Sequence, residues 1–459
     1  MDQNLEKTTA QRGSFTGKIG FVLAAAGSAV GLGNIWRFPY LAAKYGGGIF
    51  LLTYILLSVT FGFSLMIAEI AIGRKTKSSP INAFKNLDKR FTFLGYLAAI
   101  VPAIILPYYS VIGGWVMKYS FGFLTGSGEE MANGSYFGGF ISQTGEPILW
   151  FLFFVGLTAA IVLLGVQKGV EKVSKYMMPV LIALMIFIVI YTIATTDGIG
   201  AGVAYYLMPD FSHFSIMTVV AAMGQLFYSM SLAMGIMITY GSYMKKEINV
   251  ENSVHQIEIF DTGIAILAGL LIVPACFAFN NGDPAALGKG PGLMFGVLPQ
   301  VFERMPGGSA IGFVFFITVF LAALTSSISL METVVSTIMD KFHLDRKLCC
   351  LIVIGVCLVL GLPSALGFSV WSALLPLGMD ILTFFDFVSN SIMMPILAFI
   401  TCIFVGYVLK PRAVIEEVEI SGKFTLKKMF VVMIRYVAPV FLIAVLVSSI
   451  LDGFGIYKI

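Results

Sequence analysis

Residues 27–39 read Gly-Ser-Ala-Val-Gly-Leu-Gly-Asn-Ile-Trp-Arg-Phe-Pro, inside an apolar run that could span a bilayer from Ile19 to Ala43. A glycine costs a helix about 1 kcal/mol relative to alanine. In hydrocarbon, freed backbone groups add a larger cost unless polar partners satisfy them. Exposed carbonyls and amides at this depth suit cations and a small zwitterion. The stretch therefore predicts a broken membrane helix that forms a binding site.

The composition places this stretch in a polytopic all-α membrane protein. Of the 459 residues, 58% are hydrophobic and 12% charged, and the mean hydropathy is +0.92. Long uncharged apolar runs of this kind form bilayer-spanning helices. We expect the first span to be retained and not cleaved as a signal peptide. The sequence predicts eleven spans, at 18–43, 48–73, 92–124, 147–166, 173–195, 214–243, 253–280, 309–340, 347–363, 375–408 and 429–452.

Basic residues fix the predicted orientation, because they crowd the loops on one side. The opposite loops carry only Lys44, Lys289, Arg304 and Lys458. The positive-inside rule then predicts a cytoplasmic N-terminus and an extracellular C-terminus in the plasma membrane. The net charge of +4 reflects this asymmetry, so we expect no nucleic-acid partner.

A second interruption matches the first. Residues 224–235 read Gly-Gln-Leu-Phe-Tyr-Ser-Met-Ser-Leu-Ala-Met-Gly, at the middle of span six. Spans one and six each open a block of five and enter from opposite sides. Paired interrupted spans of this kind indicate the midplane site of a secondary transporter. The alternative, a GxxxG packing face at Gly27 and Gly31, addresses only the first interruption.

The predicted organisation is one transporter domain over residues 1–452. It contains inverted repeats at 18–195 and 214–408, followed by an eleventh span at 429–452.

Four motifs make the chain similar to a known family. They are GSAVGLGNIWRFPY (27–40), E-x-x-x-GR (69–74), GQLFYSMSLAMG (224–235) and LAALTSSIS (321–329). In this order they resemble the neurotransmitter:sodium symporters, and most closely bacterial members with eleven spans. The resemblance implies a leucine-transporter-like fold of 5+5 inverted repeats with broken spans one and six. It also implies sodium-coupled import of neutral hydrophobic amino acids by alternating access.

The resemblance further implies two Na⁺ sites. The first would use the carbonyl of Ala29, the side chains of Asn34, Ser229 and Asp261, and the substrate carboxylate. The second would use the carbonyls of Gly27, Val30 and Ala322 and the hydroxyls of Thr325 and Ser326. For these hydroxyls the alternative is ordinary bonding to the preceding helical turn.

The prediction that transport does not need chloride rests on Asp261. A charge inside an apolar span costs about 2.5–3.5 kcal/mol if it is unpaired, so Asp261 needs a cation. The resemblance implies that many relatives have asparagine here and take negative charge from chloride or from a glutamate one turn on. That next position is Ala265 in this chain, so we expect chloride-independent transport. A carboxylate just inside the cytoplasmic end of the span stays the alternative.

The implied substrate pocket is mostly apolar, with no spare acid or base to pair a charged side chain. Ala233, beside it, replaces a glycine that is common in the family. By resemblance the pocket and the groups that hold the substrate backbone are Ser28, Ala29, Leu32, Gly33, Ile105, Tyr109, Tyr228, Ser229, Ser231, Met234, Ser326 and Leu330.

Two ion pairs are the expected gates. Arg37 would pair with Asp386 on the outer side, above Tyr228. Arg12 would pair with Asp340 on the inner side, supported by Tyr243 and Glu332. Glu69 is expected to accept hydrogen bonds from the unwound backbone of span six.

Other classes fit the sequence less well. A channel would have repeated polar pore faces, and an enzyme would need a nucleophile with a base, or metal ligands. A sensor of the same fold that binds an amino acid without transporting it stays open. The expected partners are a small neutral amino acid and the lipid bilayer, with the chain a monomer or weak homo-oligomer.

Overall fold

The structure, a computed structural model, describes residues 13–279 and 290–454. Within these ranges the fold is helical, and its only strand-like pairing is an isolated bridge between Gly47 and Pro209. Nine helices of the described ranges are long and apolar enough to cross a membrane, which confirms the polytopic all-α prediction. They are Gly48–Thr76, Lys89–Leu124, Gly145–Leu163, Val166–Thr195, Val250–Phe279, Gly308–Phe342, Arg346–Leu366, Ile381–Val408 and Lys427–Leu451.

Two further segments are interrupted, at the places that the sequence indicates. Lys18–Ala29 and Gly33–Lys44 are bent by 52° and together are long enough for a tenth span. Ile216–Ser229 and Ile236–Tyr243 flank residues 230–235, and each is short. Eleven spans result only if this second pair crosses the membrane as one unit, so the count and the inverted repeat stay predictions.

Two predicted boundaries are wrong. The helix expected at 173–195 begins at Val166, where its first turn has the wider π-helical winding. The span expected from residue 375 begins at Ile381, because the Asp380 carboxylate caps it by accepting from Thr383 N at 2.9 Å. Prolines and glycines upstream of this cap form a separate 3₁₀ turn at Pro376–Gly378.

Shorter helices connect the spans. One of them, Pro411–Glu419, docks on the end of the second span through a buried ion pair. Arg74 Nε lies 2.9 Å from Glu417 Oε1, and the two side chains are 0% and 2% exposed. The other short helices are Pro80–Leu87, Gly128–Met131, Tyr136–Ile141, Ile199–Leu207 and Leu293–Glu303.

The outer surface of the bundle is apolar. Ile190, Ile259, Val359 and Val440 are 62–70% exposed, although each lies within a long apolar helix. Exposing such a surface to water would cost free energy, whereas lipid tails are as apolar as these side chains and can cover them without that cost. The protein is therefore a multi-pass membrane protein.

The second span and Ile236–Tyr243 touch backbone to backbone. A methyl group at Gly73 would lie 1.9 Å from the carbonyl oxygen of Ile238, and one at Gly241 would lie 2.4 Å from that of Ile70. Small residues at a helix crossing permit this close approach. The contact holds the second broken segment against a continuous helix.

Gly73→Ala is therefore expected to destabilise the protein by about 1–3 kcal/mol, the usual cost of overpacking. The unfolding midpoint of the purified protein in detergent measures the effect. Gly263→Ala is the matched control, because nothing lies within 4 Å of a methyl group there. Equal midpoints for the two variants would contradict the close contact.

Candidate functional site

The first break follows Lys18–Ala29. Val30 leaves helical geometry, with φ −73° and ψ 104°. Two residues later, Leu32 N donates a hydrogen bond to the hydroxyl of Tyr109 at 3.2 Å. The chain resumes helical winding at Gly33. A backbone N–H of the break thus binds a side chain of another span, as the sequence predicts for an interrupted helix.

The second break occupies residues 230–235. Its backbone has positive φ at Ser231 (53°), Ala233 (55°) and Gly235 (70°). This left-handed geometry costs a residue with a Cβ roughly 1–2 kcal/mol, so the break is strained at two positions. Ala233 N donates to Glu69 Oε1 at 2.8 Å. That bond confirms the acceptor role predicted for Glu69.

The two breaks lie against each other. Ser28 Oγ donates to Ser231 Oγ at 3.1 Å, and Ser231 Oγ donates to the carbonyl of Ser28 at 2.9 Å. Gln225 Nε2, just before the second break, donates to the carbonyl of Gly33 at 2.9 Å. Side chains of one break therefore satisfy backbone groups of the other.

A small cavity of about 30 Å³ opens where the breaks meet. Eleven of the twelve predicted substrate-binding residues line it. The twelfth, Ser229, is turned toward Asp261 instead. Gly31 and Ile236 also line the cavity and are absent from the sequence prediction. The eleven are Ser28, Ala29, Leu32, Gly33, Ile105, Tyr109, Tyr228, Ser231, Met234, Ser326 and Leu330.

Asp261 is fully buried beside this cavity, and three neutral side chains hold its carboxylate. Asn34 Nδ2 and Ser229 Oγ donate to Oδ1 at 2.8 and 2.7 Å. The hydroxyl of Tyr54 donates to Oδ2 at 3.0 Å. A buried carboxylate whose only partners are neutral dipoles is stabilised when a cation binds beside it. This environment fits Na⁺ as the transported ion.

The position of Asp261 removes one alternative. Val250–Phe279 is 30 residues long, and Asp261 lies well inside it, roughly 16 Å from the Val250 end at 1.5 Å per residue. The carboxylate is thus not at the end of the span.

Asn34 Oδ1 accepts from Gly31 N at 3.0 Å, so in this arrangement it is the amide nitrogen of Asn34 that faces Asp261.

Three carbonyl oxygens of the first break converge on Ser326. Its Oγ lies 3.4 Å from the carbonyl oxygen of Gly27, 3.1 Å from that of Ser28 and 3.2 Å from that of Val30. Oxygen atoms gathered at an unwound segment are the usual ligands of transported Na⁺. The donor set therefore fits the second predicted ion.

Thr325, beside Ser326, makes the ordinary helical bonds that the sequence left open as an alternative. Its Oγ1 donates to the carbonyls of Leu321 and Ala322, both at 3.0 Å. Thr325 nevertheless faces the break, because a methyl group on Gly27 would lie 3.3 Å from its Cβ. The ligand roles of Thr325 and Ala322 stay predictions.

Comparison with known proteins identifies this arrangement. The family model of the sodium:neurotransmitter symporters matches residues 12–129 and 137–454. The chain belongs to the sodium:neurotransmitter symporter family. The symporter is a sodium-dependent transporter, and the resemblance seen in its motifs is confirmed.

Relatives of the symporter cover nearly its whole length. The uncharacterized sodium-dependent transporter YhdH of Bacillus subtilis (strain 168) is 33% identical over 94% of this chain and 96% of its own. The crystal structure of MhsT in complex with L-phenylalanine superposes with a TM-score of 0.85 at 34% identity, covering 95% of this chain and 100% of that one. The human sodium- and chloride-dependent GABA transporter 2 is more distant, at 26% identity over 76% of this chain and 65% of its own.

The outer gate of the symporter stays a prediction: among the described residues Arg37 makes no direct ion pair with Asp386, although its charge acts on that carboxylate. The guanidinium carbon of Arg37 lies 5.6 Å from the ring centroid of Tyr228. Asp386 Oδ1 instead accepts from the hydroxyl of Tyr108 at 3.1 Å and from Asn390 Nδ2 at 2.6 Å. Both donors bind Oδ1, and Arg37 acts on the carboxylate from a longer distance.

The inner gate is only partly described, since Arg12 lies outside the described residues. Asp340 Oδ2 accepts from Ser79 N at 2.8 Å. The hydroxyl of Tyr243 donates to Glu332 Oε1 at 2.8 Å, and Arg346 also binds the Glu332 carboxylate. The predicted pair between Arg12 and Asp340 stays a prediction.

The sequence does not reveal two side chains that bind buried carboxylates. Tyr54 is one hydroxyl within an apolar run, and only its contact with Asp261 reveals its role. Arg346 lies in the sequence among the basic residues that crowd one side, yet it binds the buried carboxylate of Glu332. A search for polar residues inside apolar spans would have found Tyr54.

Ala233→Gly is expected to stabilise the symporter by about 0.2–1.2 kcal/mol. Glycine removes roughly 1–2 kcal/mol of left-handed strain and loses about 0.8 kcal/mol of methyl burial. The unfolding midpoint in detergent measures this. The matched control is Ala265→Gly, at a buried helical position, which should lower stability by about 1 kcal/mol or more. A lower midpoint for Ala233→Gly would show that its backbone is unstrained.

Proposed function

We propose that this protein is a sodium-coupled symporter that imports neutral hydrophobic amino acids by alternating access. The observation that carries the proposal is the cavity that both helix breaks line. The described residues of its wall supply serine hydroxyls, tyrosines and apolar side chains, and none of them is a carboxylate, lysine, arginine or histidine. A zwitterion with an uncharged side chain matches such a wall, because an ionised side chain would be buried there without a partner.

The backbone of the substrate has suitable partners on the first break. Leu32 N and the hydroxyl of Tyr109 lie together and suit a carboxylate. The half-helix that begins at Gly33 adds the positive end of its dipole on this side. Carbonyls of Ala29 and Ser231 suit the ammonium group. Hydrogen-bond donors at the carboxylate end of the substrate and acceptors at its ammonium end would orient a zwitterion across the two breaks.

The apolar end of the cavity would take the substrate side chain. Ile105, Met234 and Leu330 lie there, with Ile236 beside them. Methionine adapts its shape readily, so several hydrophobic side chains could be accepted. The L-phenylalanine bound to MhsT supports an aromatic or aliphatic substrate.

Two Na⁺ ions would accompany each substrate. The first would lie at Asp261, with Ser229, Asn34, the carbonyl of Ala29 and the substrate carboxylate. The second would lie among the carbonyls that converge on Ser326, with Thr325 and Ala322 completing its ligands. The support for both is geometric, namely a buried uncompensated carboxylate and a cluster of carbonyl oxygens.

The membrane potential makes this stoichiometry effective. Moving one charge is worth about 2.3 kcal/mol per 100 mV, which is roughly a 50-fold accumulation of a neutral solute. Two ions would square that factor to about 2,500-fold. The asymmetry of basic residues supports the plasma membrane, a cytoplasmic N-terminus and an extracellular C-terminus. We propose that the chain works as a monomer or weak homo-oligomer.

Uptake by proteoliposomes tests the proposal. An inward Na⁺ gradient should drive accumulation of labelled L-phenylalanine, and replacing Na⁺ by K⁺ should abolish it. Making the interior negative should raise accumulation, because net positive charge enters with each substrate. An amino-acid sensor would bind the label in a sodium-dependent way without accumulating it. A channel would only equilibrate it.

Chloride replacement is the second test. Uptake should be unchanged when gluconate replaces chloride, because the Asp261 carboxylate supplies the negative charge beside the first Na⁺. Asp261→Asn removes that charge and should raise the half-saturating Na⁺ concentration at least tenfold. The control is Glu146→Gln, a half-exposed carboxylate paired with Lys118 away from the cavity. Uptake that collapses in gluconate would contradict a charge supplied by Asp261.

A further inference from the structure

Glu258 is a buried carboxylate that no step of transport described above uses. It lies in Val250–Phe279, one turn from Asp261, and is 4% exposed. Its Oε2 lies 3.1 Å from Nδ1 of His255. Its Oε1 is buried and has no hydrogen-bond partner among the described residues. One oxygen of this carboxylate is therefore unsatisfied in the interior.

Four ionisable side chains follow one face of this helix. Glu251, His255, Glu258 and Asp261 are spaced by four, three and three residues, which is the spacing of neighbours along a helix face. At 1.5 Å per residue the column extends about 15 Å, from near the start of the helix to the sodium site. Columns of acidic residues and histidine inside membrane spans are typical of proton paths.

Among the carboxylates of this column, only Glu258 has a free oxygen. Both oxygens of Glu251 accept from backbone N–H groups of Thr425 and Leu426, at 2.8–3.1 Å. Both oxygens of Asp261 accept from side chains, as described above. A carboxylate that lacks donors on one side is the member of the column best placed to take a proton.

His255 connects Glu258 to the outside of the bundle. Its side chain is 39% exposed, whereas that of Glu258 is 4% exposed. The imidazole stacks on the ring of Phe63 in the second span, at 4.8 Å between centroids and an interplanar angle of 20°. Stacking holds the ring with Nδ1 toward Glu258. Imidazole exchanges protons near neutral pH, so it can pass them between solvent and the buried carboxylate.

The charges that act on this pair are few. Glu251 and Asp261, on the same helix, are the other titratable groups that act on His255 and Glu258. The second span contributes the uncharged ring of Phe63. Ionised Glu258 therefore adds a second negative charge one turn from Asp261, and no cation other than protonated His255 offsets it within the described residues.

We propose that Glu258 and His255 form a proton-binding site whose occupancy sets the Na⁺ affinity at Asp261. The neutral imidazole takes a proton from solvent at Nε2 and passes its Nδ1 proton to Oε2 of Glu258, so the imidazole is neutral again and one proton is bound in total. Loss of the Glu258 charge weakens the attraction for Na⁺ beside Asp261 and favours its release. The inference rests on the proposed sodium site and adds its regulation by protons.

Sodium titration of the purified protein tests the inference with Na⁺ as the only ligand. The readout is the rise of the unfolding midpoint as NaCl replaces choline chloride, at several pH values from 5.5 to 8.5. In the wild type the half-saturating Na⁺ concentration should rise at least fivefold as the pH falls. Glu258→Gln should have the high value throughout, varying less than twofold. His255→Gln keeps a hydrogen-bond donor but cannot titrate, and should move the pH midpoint.

Glu251→Gln is the matched control, because this carboxylate lies on the same helix and its oxygens are already satisfied. It should keep the pH dependence of the wild type. If Glu258→Gln and His255→Gln both keep that dependence, Asp261 titrates alone and the inference is wrong. If the wild type shows no Na⁺-dependent stabilisation at any pH, the proposed sodium coupling fails, and this inference fails with it.

Discussion

Backbone groups released inside the bilayer are the constraint on which this structure depends. Where two helices unwind at mid-depth, each freed N–H and carbonyl needs a partner, since no water of the bilayer core can replace it. Tyr109 accepts from the first break, Glu69 accepts from the second, and Gln225 donates back across them. Buried polar side chains in spans two, three and six are thus explained by the breaks. In the proposed function, a zwitterion and alkali ions would bind the groups that the protein does not satisfy.

Charge is distributed around the breaks under the same constraint. Asp261 is surrounded by three neutral donors, and Glu69 receives one backbone N–H. None of the described residues that line the cavity carries a charged side chain. Negative charge therefore lies beside the cavity, where it can bind a cation, and not in the part that would contact the substrate side chain.

The sequence predicts the features that depend on local chemistry. Glycines, hydroxyls and an asparagine inside apolar runs mark both breaks, and the resemblance to relatives identifies most of the cavity wall. The sequence does not predict which side chains contact each other between different spans of the bundle. Asp386 is bound directly by Tyr108 and Asn390, and Tyr54 reaches Asp261 although no motif of its span points to that contact. Such contacts depend on helix rotation, and a one-dimensional pattern leaves rotation open.

Backbone contact at Gly73 and Gly241 restricts how this family member can diversify. The atoms nearest to the two glycines belong to the backbone of the other helix, so a larger side chain there would separate the two helices. The cavity wall, by contrast, includes the side chains of Ile105 in the third span and Leu330 in the eighth. Variation in what the carrier accepts should therefore accumulate on that wall. Directed evolution of new specificities would do well to randomise spans three and eight and leave the glycine seam intact.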